Sequence, residues 1–377
     1  KLNYQDNKII SNYSNKLSSV TDCKYILTYG SGRMALYSIL KSLKIKQDDE
    51  IIIPAYTCAV VANAILYAGA KPIYADINLH DFNIDTNDII KKITNKTKAL
   101  YVQHTFGNIC DFEKINNIAE NNNLYVIEDA AHALGAKINN KKIGSLTTVS
   151  FFSTDHSKTI NTQLGGFVGT NNKELYKRLT NEYEKLPFLS NIIIKKIIVS
   201  FIFEYIFFSK YLYFLGKYLY LVLIKLKIIF YFDDIYKTKK PLEYPYPCKL
   251  SSFQAALGIN ELERLNNNLK IRRFKYNTLD KLINDNENLK TLHSPLRYSI
   301  LVKNRNKIES KFYNYDLDIW FKSVLEGRYR NFHEVNYLKG SCKNAEYAAS
   351  HIINFPTHSR IDINHLKKQI QKNLKLI

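Results

Sequence analysis

Lys158 stands in SFFSTDHSKTINTQLGGFVGT, residues 150–170, five residues after Ser153 and seven before the pair Gly165-Gly166. Short apolar runs flank this polar turn, VSFF before it and FVG after it. A lysine between two buried strands is a candidate for imine chemistry. A lysine in a mobile turn would show the same local pattern. Asp129 closes the run LYVIED 29 residues earlier, and His132 follows in DAAHALGA. A carboxylate at a strand end, followed by small residues, suits contact with a protonated ring nitrogen; an Asp capping the next helix has the same spacing. YGSGR (29–33) is a glycine-rich turn opening a helix, where backbone N–H groups and the helix dipole could hold a phosphate. A tight strand–helix turn that needs glycine accounts for it equally well.

The elements that must position these residues show as an alternation. Apolar runs fall at 25–28, 51–54, 72–77, 99–102, 124–129, 149–152 and 167–169, with amphipathic segments at 33–43, 60–67, 86–93 and 112–122. Nearly continuous apolar strands separated by helices imply an α/β fold, a mostly parallel sheet sandwiched by helices. Ligands of such sheets bind beyond the carboxyl ends of the strands. Gly30-Ser31-Gly32, His104, Asp129 and Lys158 all fall at or just after the end of a run. Further on, 248–265 reads as a helix that continues towards 284. Runs at 297–302 and 351–355 read as strands, and 307–314 and 362–373 as helices, which makes a small C-terminal α+β domain.

Between 185 and 232 the composition changes to KLPFLSNIIIKKIIVSFIFEYIFFSKYLYFLGKYLYLVLIKLKIIFYF. No uncharged run reaches the roughly 18 residues of a spanning helix. Lys196, Glu204, Lys210, Lys217 and Lys225 recur at six to eight residues, one broad stripe on a helix, and Ile, Leu, Phe and Tyr fill the rest. Two readings stay open. The segment could lie in the plane of an anionic membrane surface, or it could be a helical hairpin packed on the body or at a subunit interface.

The net charge of +20 favours anionic partners. The basic residues are spread through the chain without a zinc-finger, RRM or KH signature, so nucleic acid is not expected. Five scattered cysteines form no CxxC or Cys/His cluster, which argues against a disulfide framework or zinc site and for a reducing, cytoplasmic setting. There is no signal-peptide pattern at Lys1, and the lack of a starting Met suggests that N-terminal residues are missing.

Taken together the motifs resemble the DegT/DnrJ/EryC1/StrS family of sugar aminotransferases, pyridoxal 5'-phosphate (PLP) enzymes of fold type I. The resemblance covers about 25–170 and 250–373. It rests on DEIIIPAYTCAVVANAILYAGAKPIYADI (49–77), IEDAAHALGAKINNKKIGS (127–145), the Ser153–Lys158–Gly165-Gly166 spacing, FQAALG (253–258) and NFPTHS (354–359). It implies that Lys158 carries the PLP aldehyde as a Schiff base and moves the proton during transamination. Asp129 would pair with the pyridinium nitrogen, and His132 would lie beside the ring hydroxyl. Gly32, Arg33 and Ser153 would surround the phosphate. Arg33 stands where the family commonly has Thr, Cys58 where an aromatic ring often stacks on PLP, and Pro247 in place of an Asn that often reaches the neighbouring subunit. Lys158 also argues against the family's dehydratases, which carry histidine there; His156 is off-register. The expected organisation is a large PLP-binding domain (1–184), a hydrophobic, basic helical insertion (185–245), connecting helices (246–286) and the small domain (287–377). The implied activity is amination of a keto-sugar, nucleotide-linked, by a homodimer with glutamate as donor, in polysaccharide or glycoconjugate biosynthesis. Cyclitol aminotransfer, sugar dehydration or a non-catalytic membrane-associated relative are the alternatives.

Overall fold

The computed structural model describes residues 3–208, 212–232, 235–284, 294–313, 315, 317 and 319–377. Its centre is a seven-stranded sheet made of β1 (Tyr25–Tyr29), β2 (Glu50–Pro54), β3 (Lys71–Ala75), β4 (Thr97–Gln103), β5 (Tyr125–Asp129), β6 (Val149–Ser153) and β7 (Gly166–Thr170). The order across the sheet is β1-β7-β6-β5-β4-β2-β3. The pairs from β3 through β6 are parallel, and β7 runs antiparallel to both its neighbours. Strand residues alternate between two apolar layers: Ile51, Ile53 and Phe151 face one, Ile52 and Phe152 the other. This period of two, with both faces apolar, is why the strands read as unbroken hydrophobic runs.

Seven helices cover the two faces. On the side of Ile51 lie α2 (Gly32–Ser42), α3 (Ala59–Tyr67) and α6 (Lys173–Tyr183); on the side of Ile52 lie α1 (Asn7–Thr21), α4 (Thr86–Lys92), α5 (Phe112–Asn121) and the first half of α9 (Ser252–Asn284). Helix α1 was not expected from the sequence. Its Asp6 side chain caps the N-terminus by accepting from the N–H groups of Lys8 and Ile9, and its buried Tyr13 ring lies against Gly258 of α9. Any side chain at Gly258 would strike that ring.

The segment between α6 and α9 corrects two expectations. The stripe expected on one helix is broken into α7 (Asn191–Phe207) and α8 (Tyr213–Lys225), and Lys210 lies outside the described residues. Glu204 does not share a lysine-lined face: it is buried with Ile194, Ile197 and Ser200 on the inner side of α7. Among the described residues no helix is long and apolar enough to cross a membrane. The second correction is at 248–251, read as helix. Cys248 and Lys249 run extended beside β1, where the Gly30 N–H donates to the Cys248 carbonyl at 3.0 Å, and α9 begins only at Ser252.

The C-terminal part is built on two antiparallel strands, β8 (Arg297–Leu301) and β9 (Ile352–Pro356), with α10 (Arg305–Lys311), α11 (Lys343–His351) and α12 (Ile363–Asn373). A short strand, Leu325–Glu326, leaves this part and pairs in parallel with Thr57–Cys58. That crossing brings Trp320 over the carboxyl edge of the large sheet.

One close approach fixes the edge where β6, β7 and α2 meet. A Cβ on Gly166 would lie 2.5 Å from the Gly32 nitrogen and 2.6 Å from the Phe152 carbonyl oxygen, both backbone atoms that cannot rotate away. We expect Gly166→Ala to lower stability by about 1–3 kcal/mol or more through overpacking, seen as a lower denaturation midpoint of the cofactor-free chain. An unchanged midpoint would show that the approach is slack.

Candidate active site

Lys158 lies in the turn between β6 and β7, and that turn is held from three sides. Within it, the Thr154 and Thr162 hydroxyls pair at 2.6 Å and the Lys158 N–H donates to the Asp155 carbonyl at 2.9 Å. From α9, the Asn268 side chain donates to the Thr159 carbonyl at 2.8 Å, Glu261 accepts from the Asn161 N–H at 3.2 Å, and Gln254 donates to the Leu164 carbonyl. From α7, the Ser200 hydroxyl donates to the Gln163 side-chain oxygen at 3.1 Å, and the Gln163 amide donates to Glu204 at 3.0 Å. Gln163 is in the left-handed region at φ +69°. A side chain there is strained, and such a conformation persists where its surroundings over-determine it.

The Lys158 amine is 3.0 Å from His132 Nε2. His132 is buried, and its Nδ1 accepts the Phe106 backbone N–H at 3.2 Å. A neutral imidazole whose Nδ1 accepts must carry its proton on Nε2. That proton points at the lysine, so the lysine must offer a lone pair. Both pKa shifts run in the direction that this pairing requires. Burial, then Lys158 and Arg297, holds the His132 pKa well below its ordinary value. Burial lowers the Lys158 pKa, opposed by Asp155 and Asp129. The geometry therefore presents a neutral, half-buried amine, the form able to attack a carbonyl.

Asp129, at the end of β5, is buried; its carboxylate accepts from the Tyr101 hydroxyl and, at 2.9 Å, from the Ala131 N–H. Burial raises its pKa, and the Tyr101 and Ala131 hydrogen bonds and Lys158 pull the other way. Helix α2 begins at Gly32, where its first-turn N–H groups have no partner within the helix. The Ser31 hydroxyl beside them is buried with no hydrogen-bond partner among the described residues. A Cβ on Gly32 would approach Ser153 Cβ to 3.0 Å, so Ser153 packs directly against the start of α2.

Of the residues singled out in the sequence, Lys158 and His132 are in contact, and Gly32 and Ser153 are in contact. Asp129 lies within electrostatic reach of the amine. Arg33 is half-buried, with its guanidinium 5.3 Å from the centre of the Phe232 ring. Cys58 is not part of a stacked pair: its thiol points at the Glu326 carbonyl, 3.7 Å away, and burial pushes its pKa up. His104 is structural. Its ring lies fully buried between the Cys110 N–H and Glu128, whose carboxylate also accepts from Gly144 and Thr147. His156 pairs with Asp155 at 2.8 Å; burial pushes Asp155 up, but the His156 ring brings it down to about 2.

Three residues were missed. Tyr101 was read only as part of an apolar run. Trp320 is the one tryptophan of the chain. Its ring stacks on His132 and lies 4.4 Å from the Lys158 amine and 4.0 Å from the Arg297 guanidinium. Arg297 opens β8 and stands with Arg272, Lys275 and His358 in a cationic junction between α9 and the small domain. Burial, then Arg272, Lys275 and Arg297, pushes His358 down to about 3. Beyond Trp320 opens a chamber of about 370 Å³ lined by the aromatic residues Phe312, Tyr313, Tyr315 and Tyr329 and by both signs of charge, Lys217 of α8 and Lys322 with Glu309 and Glu326.

A neutral amine, a buried carboxylate and a helix N-terminus gathered at the carboxyl edge of such a sheet are the arrangement of a PLP-dependent enzyme. The chain belongs to the DegT/DnrJ/EryC1/StrS aminotransferase family, whose profile matches residues 4–186 and 233–373. It is 41% identical over 169 residues to a GDP-perosamine synthase of Escherichia coli O157:H7, covering 45% of this chain and 46% of that protein. It is 38% identical over 171 residues to the dTDP-3-amino-3,6-dideoxy-alpha-D-galactopyranose transaminase of Aneurinibacillus thermoaerophilus, covering 45% and 47%. In these matches the chain spans about half the length of the relative. The fold is that of PseC, an aminotransferase of Helicobacter pylori involved in pseudoaminic acid biosynthesis (TM-score 0.76, 20% identity, 100% of this chain and 94% of that one). It is also that of NtdA of Bacillus subtilis, solved with PMP (TM-score 0.75, 21% identity, 99% and 78%).

The family's cofactor is PLP, and the residues present fit it. The buried Ser31 hydroxyl, without a partner among the described residues, and the first-turn N–H groups of α2 suit a phosphate. The buried Asp129 carboxylate suits a ring N–H, and the Lys158 lone pair suits an aldehyde.

Two histidines with lowered pKa values, the buried His132 and the half-buried His358, make the fold sensitive to acid. His132 and His358 have folded pKa values below the unfolded value of about 6.5, so below that pH the unfolded chain takes up protons that the fold refuses. Their contribution is complete above pH 6.5 and is lost as the pH falls. We expect a loss of about 1 kcal/mol per histidine between pH 6.5 and 5.5, read from denaturant midpoints at the two pH values. His132→Asn with His358→Asn should flatten the slope; an equally steep slope in that variant would assign it to other groups.

Proposed function

We propose that this chain transfers an amino group from glutamate to a keto-sugar, nucleotide-linked, in the making of a surface polysaccharide or glycoconjugate, as a cytoplasmic homodimer. The observation that carries the reading is the neutral Lys158 amine, fixed by the His132 tautomer beside Asp129 and the start of α2. Five free cysteines agree with a reducing compartment. The named relatives act on GDP- and dTDP-linked sugars, which supports the acceptor class.

In this reading each residue has a defined task. The first-turn N–H groups of α2, with Ser31, Gly32 and Ser153, bind the phosphate; Arg33 adds positive charge nearby. Asp129 would accept the ring N–H and keep that nitrogen protonated, and Tyr101 and Ala131 hold the carboxylate in place. PLP, when bound, supplies an electron sink for the carbon that loses its proton. Lys158 would hold the aldehyde, and its Nζ, when free, would be the base that moves the proton at the donor carbon. His132 keeps the Nζ lone pair aimed. The Arg297 guanidinium over the Trp320 ring suits a carboxylate of the donor, and the aromatic wall of the chamber suits the flat ring of a base. Dehydration is disfavoured, because His156 is exposed and paired with Asp155.

With PLP added, the wild-type chain should show the visible band of the lysine-bound cofactor and Lys158→Ala should lose it. Turnover should fall by roughly 10²–10⁴-fold or more. With glutamate and 3-keto or 4-keto nucleotide sugars, mass spectrometry should find an amino sugar. A missing band refutes the cofactor chemistry; a band without amino sugar from either acceptor refutes the acceptor class.

A further inference from the structure

More than half of the large apolar side chains exposed among the described residues lie between Ile192 and Tyr231. On α7 the inner stripe of Ile194, Ile197, Ser200 and Glu204 packs on the body, and Ile202, Tyr205 and Ile206 face outward. On α8 only Gly216 is buried, set against Phe207, and Phe214, Tyr218 and Leu221 are exposed. An ordinary surface helix would be polar on that side. An exposed apolar patch of this kind marks a contact with something else.

The charge indicates what that contact is. Residues 187–232 contain six lysines and a single acid, Glu204. Glu204 is turned inward onto Gln163, and Lys195, Lys217, Lys225 and Lys227 are exposed beside the apolar side chains. The outward face is therefore apolar and positive only. A second copy of the same face would set like charges against each other, whereas an anionic bilayer complements both the charge and the apolar surface. Length excludes a crossing. Helices of 17 and 13 residues measure about 26 and 20 Å, short of the roughly 30 Å hydrocarbon core. Exposed Tyr205, Tyr218 and Tyr231 suit the headgroup boundary.

We propose that the α7–α8 hairpin docks the enzyme in the plane of an anionic lipid surface. This goes beyond the transamination reading and does not depend on it. Lys217 of α8 also lines the chamber beyond Trp320, so docking sets that chamber beside the headgroup layer.

The test is flotation of the full-length holoenzyme with phosphatidylglycerol–phosphatidylethanolamine vesicles and, separately, with phosphatidylcholine vesicles. Binding to the anionic vesicles should be at least about tenfold stronger and should weaken with salt. Each lysine is worth about fivefold, so Lys195→Glu, Lys225→Glu and Lys227→Glu together should cost about a hundredfold or more. Ile202→Ser, Tyr205→Ser and Leu221→Ser together should abolish binding. The cofactor band and melting temperature of each variant report that it is folded. A wild-type chain that stays in the soluble fraction with anionic vesicles overturns the proposal. So does a dimer that the serine variant splits into monomers while vesicle binding is absent, since the face would then cover a second copy.

Discussion

The site depends on one hydrogen bond, from the Phe106 backbone N–H to His132 Nδ1. It is a backbone donor and cannot be rotated or titrated away. By occupying Nδ1 it puts the imidazole proton on Nε2, and by doing so it fixes the lysine opposite as an acceptor. Phe106 itself adopts φ +59°, so the turn after β4 is contorted to present this N–H. Its ring stacks nearly parallel to the imidazole. The strain of one residue is thus tied to the protonation state of another 52 positions later, and burial makes the arrangement rigid.

Much of the frame was legible because the sheet is buried on both faces. Every strand of the large sheet carries its own apolar run, and the observed strands lie within two residues of those runs. Lys158, Asp129 and His132 were legible for a related reason: in a parallel sheet, strand ends are where side chains can converge. Helix α1 was hidden because its pattern, NKIISNYSNKLSSVT, is polar except for the few positions that touch α9. Tyr101 was hidden by its own burial, since a tyrosine in a strand gives no sign that its hydroxyl meets a carboxylate. Trp320 and Arg297 reach the site only through the tertiary crossing at Leu325–Glu326, which no local spacing encodes. The single stripe on 185–232 failed because helix period was carried across a break that separates α7 from α8.

The two halves of the site differ in electrostatic character. At the sheet edge, carboxylates and neutral imidazole surround the amine. At the small-domain side, Arg272, Lys275 and Arg297 gather around a histidine whose pKa burial and their charges hold down. The indole of Trp320 separates them, with the amine and the Arg297 guanidinium each close to its ring. A ligand bridging the two sides would carry an electrophilic carbon at one end and negative charge at the other.

Gln163 gives the hairpin a history. Both ends of its side-chain amide are satisfied by α7, through Ser200 and Glu204. If the hairpin were removed, a buried amide and a left-handed residue would be left unsupported five positions from the lysine. The two bonds act as a ratchet: a lineage that acquired them could not return to the shorter chain by one clean deletion. It would first have to rebuild the turn that holds Lys158.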